Sequence, residues 1–155
     1  MPKQSAGLLL YRSQNGQLEI FLVHPGGPFW AKKDQGSWSI PKGEFDMEEP
    51  LLAAKREFQE ETGIEAPQGE YIPLAQVRQK SGKIVQAWAV EGELDAENVR
   101  SNLFEMEWPP RSGKIQGFPE IDRAAWFSIE DALEKINPGQ AGLIQELLEK
   151  LGRDD

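Results

Sequence analysis

At 155 residues the chain suits one domain with a sizeable core and is short for two, and 39% hydrophobic content with five Trp and seven Phe excludes a disordered polypeptide. A formal net charge of −9 argues against broad, sequence-independent nucleic-acid binding, which relies on a basic surface. The absence of cysteine excludes disulfides and a thiol nucleophile and fits a reducing compartment.

The start, Met1 to Ser5, lacks the apolar segment of a signal peptide, and no apolar run approaches spanning length; a cytoplasmic protein without a membrane partner is expected. Ala6 to Tyr11 and Leu18 to His24 are apolar, β-prone runs joined across Asn15-Gly16, a hairpin signal. Pro25-Gly26-Gly27-Pro28 opens an irregular segment, and Ser37 to Ile40 reads as a short strand leading to Pro41-Lys42-Gly43. Glu49 to Thr62 reads as a helix, with Pro50 in its first turn, Gly63 as its stop, and Leu51, Ala54 and Phe58 as the stripe that packs on a sheet. Tyr71 to Val77 and Lys83 to Val90 are further strands, followed by a mostly loop-like insertion over residues 91–117. Ile121 to Phe127 is the last strand. Ser128, with Asp131 three residues on, caps a helix, and a final helix covers residues 139–151. The alternation predicts an α/β fold: a mixed sheet with helices on both faces.

Within the first helix Glu57, Glu60 and Glu61 lie at i, i+3 and i+4, an arc of about 100°. Like charges so placed repel unless a cation neutralises them, and their oxygens suit a hard divalent metal such as Mg²⁺. The bland alternative is a solvated acidic face. Arg56, four residues before Glu60, is placed to hold that carboxylate with a bidentate contact.

Gly43-x4-Glu48-x7-Arg56-Glu57-Phe58-x-Glu60-Glu61-x-Gly63-Ile64 resembles the box of the Nudix hydrolases, G-x5-E-x7-R-E-U-x-E-E-x-G-U with U a bulky aliphatic. Every fixed position from Glu48 onward is met, Phe58 replacing an aliphatic, and one residue is missing between Gly43 and Glu48. Pairing Gly43 with Glu49 instead would move the deletion into the helix, whereas a loop absorbs it at little cost.

The resemblance implies the Nudix α/β/α sandwich and hydrolysis of a phosphoanhydride in a nucleoside diphosphate linked to some moiety X, such as a dinucleoside polyphosphate or a nucleoside triphosphate. It implies Glu57, Glu60 and Glu61 as ligands of Mg²⁺, with Mn²⁺ as an alternative, and the Gly43 carbonyl as a further ligand. Lys42, just before it, is a candidate phosphate contact. Glu120, six residues before Trp126, matches a late-strand Glu that in some relatives is a general base or extra ligand. Trp38-Ser39-Ile40-Pro41-Lys42-Gly43 looks like the diadenosine-polyphosphate and diphosphoinositol-polyphosphate branches. The former's usual Tyr after the box is absent, and Arg78 and Gln79 stand where ADP-ribose enzymes typically carry a Pro.

Among the aromatics, Phe29, Trp30, Trp38, Trp88 and Trp108 are candidates to stack on a base, with Trp30 and Trp38 singled out as substrate-binding. Lys32, with Lys33, Lys80 and Arg111, is a candidate for outer phosphates. His24, the lone histidine, and Trp126 read as structural. The expected partner is a nucleotide or other diphosphate-containing small molecule; the chain is expected as a monomer or homodimer. The rival is a non-catalytic nucleotide-sensing or protein-interaction module on the same fold, against which the retained carboxylates weigh.

Overall fold

The computed structural model describes residues 3–153. The chain starts with the long hairpin of β1 (Gln4–Gln14) and β2 (Gln17–Pro25). Asn15 and Gly16, at φ 53 and 79, form the two-residue turn whose positive φ values match the strands' twist. The runs are apolar throughout because β1 is covered on both faces. Leu8 and Leu10 enter one core and Leu9 and Tyr11 the other, following the two-residue period of a strand.

With β4 (Ile72–Pro73), β6 (Ile84–Glu91) and β9 (Ile121–Ser128), the main sheet has the order β4-β6-β1-β2-β9, and β3 (Lys42–Glu44) is added to β1. β6 lies parallel to β1, while β2, β3 and β9 pair antiparallel, so the sheet is mixed. On one face lies α1 (Pro50–Thr62), burying Ala53, Ala54 and Phe58 against Leu8, Phe21 and Val90. On the other lie α2 (Ile129–Lys135) and α3 (Ala141–Leu151), which bury Ile129, Ala132, Leu143, Ile144 and Leu147. This is the expected sandwich, a helix layer on each side of a mixed sheet.

The helix boundaries follow local chemistry. Pro50 occupies the first turn, where its missing N–H is no loss, and Gly63 closes α1 at φ 74 with its N–H donating to the Gln59 carbonyl. Ser128 accepts from the Asp131 N–H to start α2. Phe58, fully buried, fixes the helix rotation; truncating such a side chain costs about 3–5 kcal/mol.

Three expectations need correction. Ser37 to Ile40 forms only isolated bridges, Ser39 to Val23 and Trp38 to Ile136, and the true strand is displaced to Lys42–Glu44. Tyr71 to Val77 is not one strand but two fragments, β4 (Ile72–Pro73) and β5 (Val77–Arg78), because Pro73 cannot donate to the ladder. The supposed loop over 91–117 contains a hairpin, β7 (Leu103–Glu107) with β8 (Ile115–Pro119), held by a Phe104–Phe118 pair with ring centroids 6.0 Å apart.

Candidate active site

The pairing of β3 with β1 brings Gly43 against α1. A Cβ built on Gly43 would lie 1.8 Å from Oε2 of Glu57 and 2.2 Å from its carboxyl carbon. Only a residue without a side chain admits the carboxylate there. The next turn brings Glu61 to the same strand, where its Oε1 accepts the Lys42 N–H at 3.0 Å. Two of the box carboxylates are thus fixed by backbone of the strand that precedes the helix.

Arg56 organises the outer part of the face. Its Nη1 donates to Glu57 Oε1 at 2.9 Å and to both oxygens of Glu60 at 3.2 Å. Its Nε donates to Glu48 Oε2 at 3.0 Å, and Nη2 reaches the other Glu48 oxygen. Glu48 precedes α1 rather than belonging to it, yet it reaches the guanidinium from the loop. The alignment that leaves Glu48 eight residues before Arg56 therefore has a physical contact behind it.

Electrostatically the inner carboxylates are uncomfortable. Burial pushes Glu61 up to about 8, against the opposing pull of the Lys42 N–H and ammonium. Burial also raises Glu57, while the Arg56 hydrogen bond opposes it. Lys42 is lowered, first by burial and then by Lys83, and its ammonium has no ion-pair partner among the described residues. Burial in this low-dielectric site thus disfavours both bare charges, the Glu61 carboxylate and the Lys42 ammonium.

Next to this face lies a cavity of about 230 Å³. Lys42, Glu61, Glu120 and Trp30 line it. Glu120 is held by its backbone, its N–H donating to the Asn102 carbonyl at 2.9 Å and its own carbonyl accepting from Gly26 at 2.8 Å. Its carboxylate has no hydrogen-bond partner within the described residues. Trp30 is 40% exposed, with the Lys33 ammonium 5.0 Å from its ring centroid.

Other expectations do not meet here. Trp38 is only 5% exposed, with its ring edge-on to Phe127 at 5.0 Å and His24 at 5.2 Å, and its Nε1–H donates to Asp34. It is a core residue and not a stacking surface, a correction that follows from the chain turning it inward next to α2. Lys32 is exposed and lies outside the cavity lining. Glu57, Glu60 and Arg56 flank the cavity on α1 without lining it. His24 is fully buried, its ring nitrogens 2.7 Å from Asp122 Oδ1 and 2.7 Å from the Lys33 carbonyl.

The sequence missed Ser39, Gln79, Asn137 and Gln140, which also line the cavity. Gln140 bonds residues 61 and 101 positions away, so no local pattern marks it.

The sequence matches the family profile of the NUDIX domain over residues 1–147, and the chain belongs to that family. The chain retains all four acidic positions of the box, Glu48, Glu57, Glu60 and Glu61. No curated protein matched it. Among solved structures, a C. elegans Ap4A hydrolase in a binary complex is similar at 24% identity and a TM-score of 0.66, covering 96% of this chain and 98% of that one. The NUDIX domain of Shewanella oneidensis NrtR, complexed with ADP ribose, shares 16% identity at a TM-score of 0.65, covering 97% of this chain and 89% of the other. The E. coli ORF135 protein is 28% identical with a TM-score of 0.53, covering 99% and 96%.

Proposed function

We propose that the protein hydrolyses a phosphoanhydride bond in a nucleoside diphosphate linked to a further moiety, with divalent metal as cofactor. The observation that supports this most is the placement of Gly43 against Glu57, with Glu61 and Lys42 joined alongside on the cavity wall.

The donor set fits Mg²⁺, or Mn²⁺ in its place: oxygen only, from Glu57, Glu60 and Glu61, with the Gly43 backbone packed against the first. Among the described residues, no three acidic side chains are already gathered in ligating geometry, since Glu57 and Glu60 are turned to the Arg56 guanidinium. The donors are present and held in place by the Arg56 guanidinium. When bound, divalent metal there supplies charge neutralisation of the diphosphate and acidification of water.

The remaining work falls to the chain. Arg56 holds Glu57 and Glu60 in place by its fork of donors. Lys42, with its ammonium unpaired on the cavity wall, donates to a phosphate oxygen. Glu120, its carboxylate free, accepts the proton of the attacking water as the second phosphate leaves. Trp30 at the cavity stacks on the base. A soluble nucleotide is the partner this arrangement suits, and no helix among the described residues is long and apolar enough to cross a membrane.

A second reading, a nucleotide-sensing module without catalysis, draws on the likeness to the ADP-ribose-complexed NrtR domain. The retained Glu57, Glu60 and Glu61 favour the enzyme. Incubation with Mg²⁺ and dinucleoside polyphosphates, nucleoside triphosphates, ADP-ribose and NADH separates the two. Turnover of one substrate class, lost in Glu60→Gln, is expected; binding without any turnover would favour the sensor.

A further inference from the structure

Apart from its charged groups, the cavity wall carries the amides of Gln79, Asn137 and Gln140. Gln140 is fully buried, and its orientation is fixed by chemistry. The Ile40 N–H, which can only donate, points at Gln140 Oε1 at 3.1 Å. Its Nε2 must then donate to Ser39 Oγ at 3.1 Å and to Gln79 Oε1 at 2.8 Å. The carbonyl of Gln79 is thereby used, and its NH₂ is the end left without a protein partner. Asn137 is set the same way: its Oδ1 accepts the Gly139 N–H at 2.8 Å, leaving its NH₂ unpartnered. Gly139 lies between the two, since a Cβ there would be 2.9 Å from Gln79 Cα and 3.2 Å from Asn137 Oδ1. Of the Gln79 and Asn137 amides, the NH₂ ends are therefore the ones left to the cavity as donors.

We propose that Gln79 and Asn137 form a nucleobase subsite that selects a 6-oxopurine over a 6-aminopurine, with Gln140 as the positioning residue behind Gln79. A 6-oxopurine offers two adjacent acceptors, O6 and N7, whereas a 6-aminopurine offers N7 beside an amino donor. Two fixed donors match the first and leave a donor facing a donor in the second. Lys42 and Glu61 on the same wall serve the phosphate end, so this assignment rests on the nucleotide reading of the site.

The test uses ITP and ATP, which differ in the oxygen or amino group at C6 and in the hydrogen that the former carries on N1, while both keep N7 as an acceptor. Dissociation constants are measured by calorimetry on metal-free protein and kcat/KM with Mg²⁺. The wild type is expected to favour ITP by about fivefold or more, the range of a good bidentate base contact. Gln79→Glu keeps an oxygen towards Gln140 and replaces the free NH₂ by an acceptor, so the ITP:ATP ratio should fall or invert. Asn137→Ala should lower the ratio without adding charge. A wild-type ratio within twofold of unity, or a ratio that neither substitution moves, would overturn the proposal. ITP preference in binding without hydrolysis would support this subsite and remove the hydrolase reading. Equal hydrolysis of both would do the reverse, and neither binding nor Mg²⁺-supported hydrolysis of either would remove both.

Discussion

Gly43 and Glu57 are packed so closely that one added methyl group on the first would occupy the carboxylate of the second, at 1.8 Å from Oε2. Gly43 does not have a positive φ, so its backbone accepts alanine and the cost falls on Glu57 alone. Gly43→Ala should lower kcat/KM by about 10- to 100-fold, the usual loss when a metal ligand is mis-set, while circular dichroism stays native. Native activity in a folded Gly43→Ala protein would remove the idea that this contact positions a ligand.

Arg56 meets Glu48, Glu57 and Glu60 at once, a task that needs the planar fork of a guanidinium. The group is 37% exposed and so are its gains reduced by solvent; each such pair contributes about 0–1 kcal/mol. Arg56→Lys should therefore change unfolding free energy by no more than about 1–2 kcal/mol. Activity should fall by about 10- to 100-fold, because a point charge cannot orient three carboxylates. Urea titration and steady-state kinetics on the same preparation separate the two effects.

The acidic face links metal to stability. A ligand that binds only the folded protein stabilises it by about 2.7 kcal/mol at 100 times its Kd. In a domain of this size that raises Tm by roughly 5–11 °C, and EDTA should reverse the rise. Glu60→Gln should shrink the Mg²⁺-induced shift and abolish turnover. Without metal the same substitution should be neutral or slightly stabilising, since it removes a charge from a repelling set. Thermal melts with and without Mg²⁺ read both signs, and an undiminished Mg²⁺ shift in Glu60→Gln would exclude Glu60 as a ligand.

What could be read from the sequence was what lies close along the chain. The arc of Glu57, Glu60 and Glu61, the Arg56–Glu60 spacing and the Gly63 stop are properties of one helix, and the Asn15-Gly16 turn is a property of two residues. The position of Gly43 depends on β3 pairing with β1, whereas the sequence reading puts the strand just before it, at Ser37 to Ile40. The β7–β8 hairpin was masked by its short strands, although Leu103-Phe104-Glu105-Met106-Glu107 carries the alternation. Gln140 and Gln79 were invisible because contacts across such separations are made by packing, not by periodicity. Trp30 and Trp38 show the same limit: identical side chains eight residues apart, one at the cavity and one in the core.

Those two tryptophans should respond in opposite ways. Trp38→Ala removes a core ring that touches His24 and Phe127, and about 3–5 kcal/mol of stability should go with it. Trp30→Ala leaves the core untouched and should weaken nucleotide binding by about 5- to 150-fold, the worth of one stacked base. Denaturation midpoints and KM values for both variants test this; a Trp30→Ala protein with unchanged KM would take Trp30 out of the site.

Asp34 gives the acid limb of the stability curve a specific contributor. Hydrogen bonds from Lys135 and then from the Trp38 indole hold its carboxyl below the usual value of 3.8. A carboxyl depressed in the folded state stabilises it above the unfolded value, and the contribution is lost as pH falls through the folded value. The difference in stability between wild type and Asp34→Asn should thus be constant from neutral pH to about pH 5 and shrink below about pH 4. Because Asp34 is at the surface the effect is small, but its direction is fixed. The same contacts tie the segment before Ser37 to α2, next to the cavity wall, so Asp34→Asn should also loosen that segment in hydrogen exchange at neutral pH. A pH-independent difference between the two proteins would show that Asp34 is not paired in solution.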